Sequence, residues 1–186
     1  DESELKKLRS STESAAELVT MRADVTREAD VNAIVQRAIE RFGRLDVLVN
    51  SAGITPRNVA ADASVGERWD AVMAVNAKGT MLMCHAAVEA MRQNGNGGAI
   101  VNVGSIMSLV GYPTSLPFSD GFSAYPHSKG AVLQMTRDMG VRLAAEGIRV
   151  NAVCPAFIYT SLTANVTNDA QIHQQMIDAH PIGRLG

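Results

Sequence analysis

Asp46-Val47-Leu48-Val49-Asn50-Ser51-Ala52-Gly53 is the stretch that decides the fold. Val47, Leu48 and Val49 form an unbroken apolar run, and a glycine follows soon after. Such a run suits a parallel strand covered on both faces. Two more runs read the same way, at 99–103 and at 148–153, the second ended by Pro155. A shorter one is expected over 17–25, after a short polar helix over 2–18. Between the runs lie helical patterns. Val31, Ile34, Val35, Ala38, Ile39 and Phe42 form one apolar stripe at helical spacing, with Thr26 as a candidate N-cap and Gly43 at the C-terminal left-handed position. Ser64-Val65-Gly66-Glu67 matches a capping box and opens a helix to about Arg92, with an irregularity near Asn76 and Gly79. Residues 94–98 read as a loop, 104–122 as a long loop and 124–145 as a helix. The last stretch reads as loop and weak helix. Strands alternating with helices make a parallel sheet with helical crossovers.

Composition narrows the function classes. The chain has 186 residues, 46% of them hydrophobic and 19% charged, which fits one folded domain over 1–186. Seventeen basic against nineteen acidic residues leave a formal charge of −2, which argues against a nucleic-acid surface. Cys84 and Cys154 stand far apart and read as two buried thiols, and the four histidines form no metal site. The start is charged throughout, unlike a signal peptide. The longest uncharged stretch, 93–119, is broken by glycines and prolines and suits no membrane helix. A soluble, cytoplasmic protein with no membrane partner is the expectation.

The chemistry gathers at the ends of the runs. Asn50-Ser51-Ala52-Gly53, Gly104-Ser105 and Pro155-Ala156 each follow a strand directly. Open parallel sheets bind ligands outside the carboxyl ends of their strands. Tyr125-x-x-x-Lys129 places a phenol and an ammonium on one helix face. A nearby cation favours the phenolate, so the tyrosine pKa is expected to fall and the phenol to serve as acid or base. Alone, that pair also suits an ordinary helix surface.

Together the pieces resemble the short-chain dehydrogenase/reductase (SDR) family. The matching segments are Asp24-Val25-Thr26, Asn50-Ser51-Ala52-Gly53, Asn76, the serine after Ile100-Val101-Asn102-Val103-Gly104, Tyr125-x-x-x-Lys129, and Arg149-Val150-Asn151-Ala152-Val153-Cys154-Pro155, in family order. The resemblance implies an α/β fold: a Rossmann-like doubly wound parallel sheet, here lacking the family's first two strands and its last. It implies an NAD(P)-dependent oxidoreductase moving a hydride between NAD or NADP and a small-molecule alcohol/ketone pair. Tyr125 would be the acid/base, Ser105 would orient the carbonyl, and Lys129 would hold the nicotinamide ribose and lower the tyrosine pKa. Asn76 would hold a water of a proton relay. Asp24 and Val25 would contact adenine, and Asn50, Ala52 and Gly53 would line the ribose. Pro155 would flank the nicotinamide, and Ile158 and Thr160 would hold its carboxamide. Asp24 also reads as a helix-start residue and Thr160 as a turn residue. Assembly as a homo-tetramer or dimer, through the helices of Asn76 and Tyr125, is carried over from the family.

The chain departs from the family pattern in four places. Ser51 stands where the family has a second asparagine, and Ala156 where it has glycine. The stretch from Ser105 to Tyr125 is longer than usual, and residues 111–123 hold Tyr112, Leu116, Phe118 and Phe122. Of the eight aromatic residues only Phe42 and Trp69 lie outside 112–159. This loop either lines a bulky, apolar substrate pocket or packs onto its own subunit or a neighbour. No glycine-rich phosphate turn occurs in the sequence, so residues 1–186 alone are expected to bind the cofactor poorly. A catalytically silent SDR fragment or SDR-like binding protein is the alternative. The substrate stays open among 3-oxoacyl thioesters, cyclic alcohols, sugars and steroid-like ketones.

Overall fold

The computed structural model describes residues 17–160 and 162–186. The apolar runs pair as β1 (Val47–Asn50), β2 (Gly98–Val103) and β3 (Ile148–Val153). All pairings are parallel, in the order β1-β2-β3. The register sets Leu48 beside Ile100 and Ile100 beside Val150, and Asn50 beside Asn102. These side chains share the face on which the helices pack, as the two-residue period of a strand requires.

The helices are α1 (Glu28–Phe42), α2 (Val65–Met73), α3 (Thr80–Asn94) and α4 (Ala124–Leu143), followed by the short α5 (Ala164–Thr167) and α6 (Ala170–Asp178). Val31 of α1, Met83, Cys84, Ala87, Val88 and Met91 of α3, and Leu143 of α4 form one core with Leu48, Ile100, Ile148 and Val150. At about 25 cal/mol per Å² of apolar surface removed from water, this cluster is the main source of stability. Gly43 closes α1 at φ 79°, where an L side chain would be strained. Ser64 and Glu67 form the expected capping box at the start of α2. The expected irregularity is a π-turn over Ala74–Gly79, joining α2 to α3. The whole helical stretch Val65–Asn94 is long and apolar enough to cross a membrane by length and composition, but α3 supplies much of the core.

Several expectations are corrected. Residues 17–24 form no strand; a strand exists only through backbone pairing, and β1 pairs with β2 alone among the described residues. Val25 instead packs toward the core, so close to Gly79 that a β-carbon there would lie 2.7 Å from Val25 Cγ2. The helix expected over 2–18 falls on residues outside the described ones, apart from Glu17 and Leu18, which are not helical. Thr26 does not cap α1. Arg27 holds that position, while the Thr26 N–H and hydroxyl donate to the Asp24 carboxylate at 2.9 and 2.8 Å. The strands are not covered on both faces: Val47, Val49 and Val153 are 56%, 59% and 54% exposed. An apolar run permits a second covering layer but does not supply one. Of the two cysteines Cys84 is buried and Cys154 only partly so.

Candidate active site

All three strands run the same way, so the segments leaving them meet at one edge of the sheet. There they enclose a cleft of about 680 Å³. Ser51 and Gly53 come from the end of β1, Gly104 and Ser105 from β2, and Pro155, Ala156, Phe157 and Ile158 from β3. The edge is stitched by backbone hydrogen bonds: the Gly104 N–H donates to Val153 O and the Ile106 N–H to Pro155 O, both at 2.8 Å.

Ser105 caps the 3₁₀ turn Ile106–Ser108, its Oγ accepting from the Met107 N–H at 3.1 Å. Ser108 Oγ accepts from the Ser105 N–H at 3.1 Å and donates to Lys129 O at 2.8 Å. Tyr125 and Lys129 sit in the first turns of α4, where Pro126 is tolerated because its missing N–H would have no helical partner. Lys129 is 5% exposed; its ammonium donates to Val103 O at 2.7 Å and lies 5.9 Å from the centre of the Tyr125 ring. Burial pushes the Tyr125 phenol above its ordinary pKa, and the neighbouring Ser105 hydroxyl only partly offsets this. The expected fall of the tyrosine pKa is therefore corrected. Burial also lowers the Lys129 pKa, partly countered by Cys154. For both groups desolvation is the larger effect.

Asn76 is fully buried in the π-turn. Its Nδ2 donates to Ile54 O and to Ser128 Oγ, each at 2.9 Å, and its Oδ1 accepts from the Ile54 N–H at 2.8 Å. Ser128 Oγ in turn donates to Tyr125 O at 2.8 Å. Asn76 thus clasps the turn after β1 to the helix of Tyr125 and Lys129. A β-carbon on Gly53 would lie 3.5 Å from both Asn76 Oδ1 and Lys129 Nζ, so that turn runs directly over the lysine.

The cleft gathers Gly53, Ser105, Tyr125, Lys129, Pro155, Ile158 and Thr160. Asp24, Val25, Asn50, Ala52 and Asn76 are not in its lining. Asp24 is exposed and tied into its own turn. The Asn50 amide donates to Asn102 Oδ1 at 2.9 Å and to Cys84 Sγ at 3.2 Å, on the helix side of the sheet. Burial pushes the Cys84 thiol up to about 11.

Four residues beyond the expected site set belong to the arrangement: Ser108, Ser128, Arg57 and Phe157. Arg57 and Phe157 line the cleft, while the two serines fasten its parts. Nothing in a lone serine at helical spacing marks it as a tie between elements. Tyr112 and Phe118 of the 111–123 loop line the cleft, whereas Leu116 is 3% exposed and packs with Met176 and Leu185. The loop thus lines the cleft with Tyr112 and Phe118 and packs onto its own chain through Leu116.

The family described as enoyl-(acyl carrier protein) reductase matches residues 1–186. The chain is 42% identical over 174 residues to 2-(R)-hydroxypropyl-CoM dehydrogenase of Xanthobacter autotrophicus, covering 92% of this chain and 66% of that protein. It is 37% identical over 163 residues to the 3-oxoacyl-[acyl-carrier-protein] reductase FabG of Thermotoga maritima, covering 88% and 62%. The chain thus spans just under two thirds of the length of these curated relatives. The crystal structure of a gluconate 5-dehydrogenase from Burkholderia cenocepacia J2315, in complex with NADP and tartrate, superposes with a TM-score of 0.75 at 32% identity, covering 88% of this chain and 60% of that one. With the parallel sheet, the cleft at its edge and this sequence kinship, the chain belongs to the short-chain dehydrogenase/reductase family.

Proposed function

We propose that the protein carrying this chain transfers a hydride between NAD or NADP and a carbonyl/alcohol pair, with Tyr125 as the acid/base. The observation that carries the reading is the convergence of Ser105, Tyr125 and Lys129 in one cleft at the carboxyl edge of a parallel sheet. The residues fit a nicotinamide cofactor. Lys129 uses one of its three N–H donors on Val103 O and has two left for a ribose diol. Gly53 leaves room beside that ammonium which a side chain would fill. When bound, the reduced cofactor supplies the hydride.

The chain's own residues do the rest. The Ser105 oxygen accepts from a backbone N–H, which leaves its hydroxyl hydrogen to donate to a substrate carbonyl oxygen. The Tyr125 O–H stays protonated because its phenol is buried, so it can give its proton to the oxygen that becomes the alcohol. Solvent then returns a proton to the phenolate. Oxidation runs these steps backwards. Asn76 acts as a positioning residue, since both of its amide hydrogens are already used. Assembly as a homo-tetramer or dimer belongs to the same reading, and Val65, Trp69 and Met81 on the α2–α3 stretch are exposed.

The test is Tyr125→Phe in the complete holoenzyme. Loss of a positioned acid/base costs about 10²–10⁴-fold in turnover. Cofactor binding, read by NADH and NADPH fluorescence titration, should change little. Turnover near wild type would remove Tyr125 from the role. Absence of cofactor binding in the wild type would favour a silent binding protein.

A further inference from the structure

The cleft contains two cations, Lys129 and Arg57, and no carboxylate among its described lining residues. Lys129 gives one N–H to Val103 O, and the reading above keeps its other two for the cofactor. Arg57 is not paired: among the described residues no Asp or Glu lies within ion-pair distance of its guanidinium. Other surface arginines, such as Arg44 and Arg92, do have such partners.

Arg57 is also held in place. It lies on the 3₁₀ turn Pro56–Asn58, which opens with proline and is closed by a capping box between Thr55 and Asn58. The Thr55 N–H donates to Asn58 Oδ1 at 2.8 Å. The guanidinium lies 4.9 Å from the centre of the Phe118 ring. Phe118 is itself wedged edge-on between Tyr112 and Phe157, at 5.7 and 5.8 Å. The contact with the ring restrains the guanidinium, and Arg57 is exposed, so its N–H donors are open to a ligand. Tyr112 and Tyr125 line the same cleft as the arginine.

We infer that Arg57 binds a carboxylate of the substrate in the cleft it shares with Ser105 and Tyr125, and that the carbonyl compound handled here is an oxo acid, reduced to the hydroxy acid. The inference rests on the oxidoreductase reading above and deepens it. A guanidinium matches a carboxylate with two parallel N–H···O bonds. Phe118 and Tyr112 come from the 111–123 loop, so that loop sets the distance between the two ends of the substrate.

The experiment compares levulinate, acetoacetate and a cyclohexanone carboxylate with their methyl esters, in the holoenzyme and in Arg57→Met and Arg57→Lys. In the wild type at least one acid is preferred over its ester in kcat/KM by about tenfold or more, the scale of a hydrogen bond between charged groups. Arg57→Met removes that preference, mainly by raising KM for the acid, so that each acid and its ester are handled alike. Arg57→Lys restores part of it. Cofactor affinity stays unchanged in both. Calorimetric titration with the same acids and esters reads anion binding without turnover. Esters accepted as well as acids across the panel, or a preference that survives Arg57→Met, overturn the inference. So does a loss of cofactor affinity in Arg57→Met. If nothing in the panel is reduced with either cofactor while the anion preference persists in calorimetry and vanishes in Arg57→Met, the carboxylate site stands and the hydride-transfer reading falls.

Discussion

The Ser108 hydroxyl donates to the backbone carbonyl of Lys129 at 2.8 Å while accepting the N–H of Ser105 at 3.1 Å. One side chain thereby sets the spacing between the serine turn and the helix of the tyrosine and lysine. Ser108→Ala would leave a partly buried N–H and C=O short of partners. Stability should fall by about 1–2 kcal/mol, read by urea unfolding. Turnover should fall by about tenfold with cofactor affinity little changed, because misplacing reacting groups acts on kcat. Unchanged kcat in a destabilised Ser108→Ala would make the bond purely structural.

The pH dependence follows from the direction of the Tyr125 shift. Burial raises the phenol above its ordinary value of about 10, so the proton is present throughout the neutral range. Ketone reduction needs that proton. Its kcat/KM should be flat through neutral pH and decline only in strong alkali. Alcohol oxidation needs the phenolate and should climb steadily with pH. A fall in reduction centred near neutrality that Tyr125→Phe abolishes would show a depressed phenol instead.

Asn76 makes three hydrogen bonds from full burial. Asn76→Ala would strand the Ile54 N–H and C=O and the Ser128 hydroxyl. Each orphaned buried group costs about 1–3 kcal/mol, so this is expected to be among the most destabilising single changes in the chain. Thermal unfolding would measure it. A shift of melting temperature no larger than that of an exposed substitution such as Arg37→Ala would contradict the clasp.

Leu116 ties the 111–123 loop to Met176 and Leu185. Leu116→Ala should cost about 2–4 kcal/mol through the cavity it leaves. The loop also carries Tyr112 and Phe118 into the cleft, so relative kcat/KM among ketones should shift more than cofactor Kd. An unaltered substrate ranking in a measurably destabilised variant would assign the loop a packing role alone.

The sequence by itself determined the parallel strands at β1, β2 and β3, the capping box at Ser64, the left-handed Gly43, the irregular turn around Asn76, and the meeting of Ser105, Tyr125 and Lys129. The elements rest on local pattern, namely apolar runs and side-chain chemistry at a cap, and the meeting of the three residues rests on the family resemblance of the motifs. Only the tertiary structure decided four other matters. Residues 17–24 are not a strand, because strand character depends on a hydrogen-bonding neighbour that local propensity cannot reveal. Thr26 yields the helix cap to Arg27, because its hydroxyl finds Asp24 first. The Tyr125 phenol is raised and not lowered, because a pKa is set by how deeply a group is buried as well as by which cation lies near it. Arg57 meets Phe118 and Tyr112 in the cleft across some sixty positions of sequence, a proximity created only when the loop folds back over the strand ends.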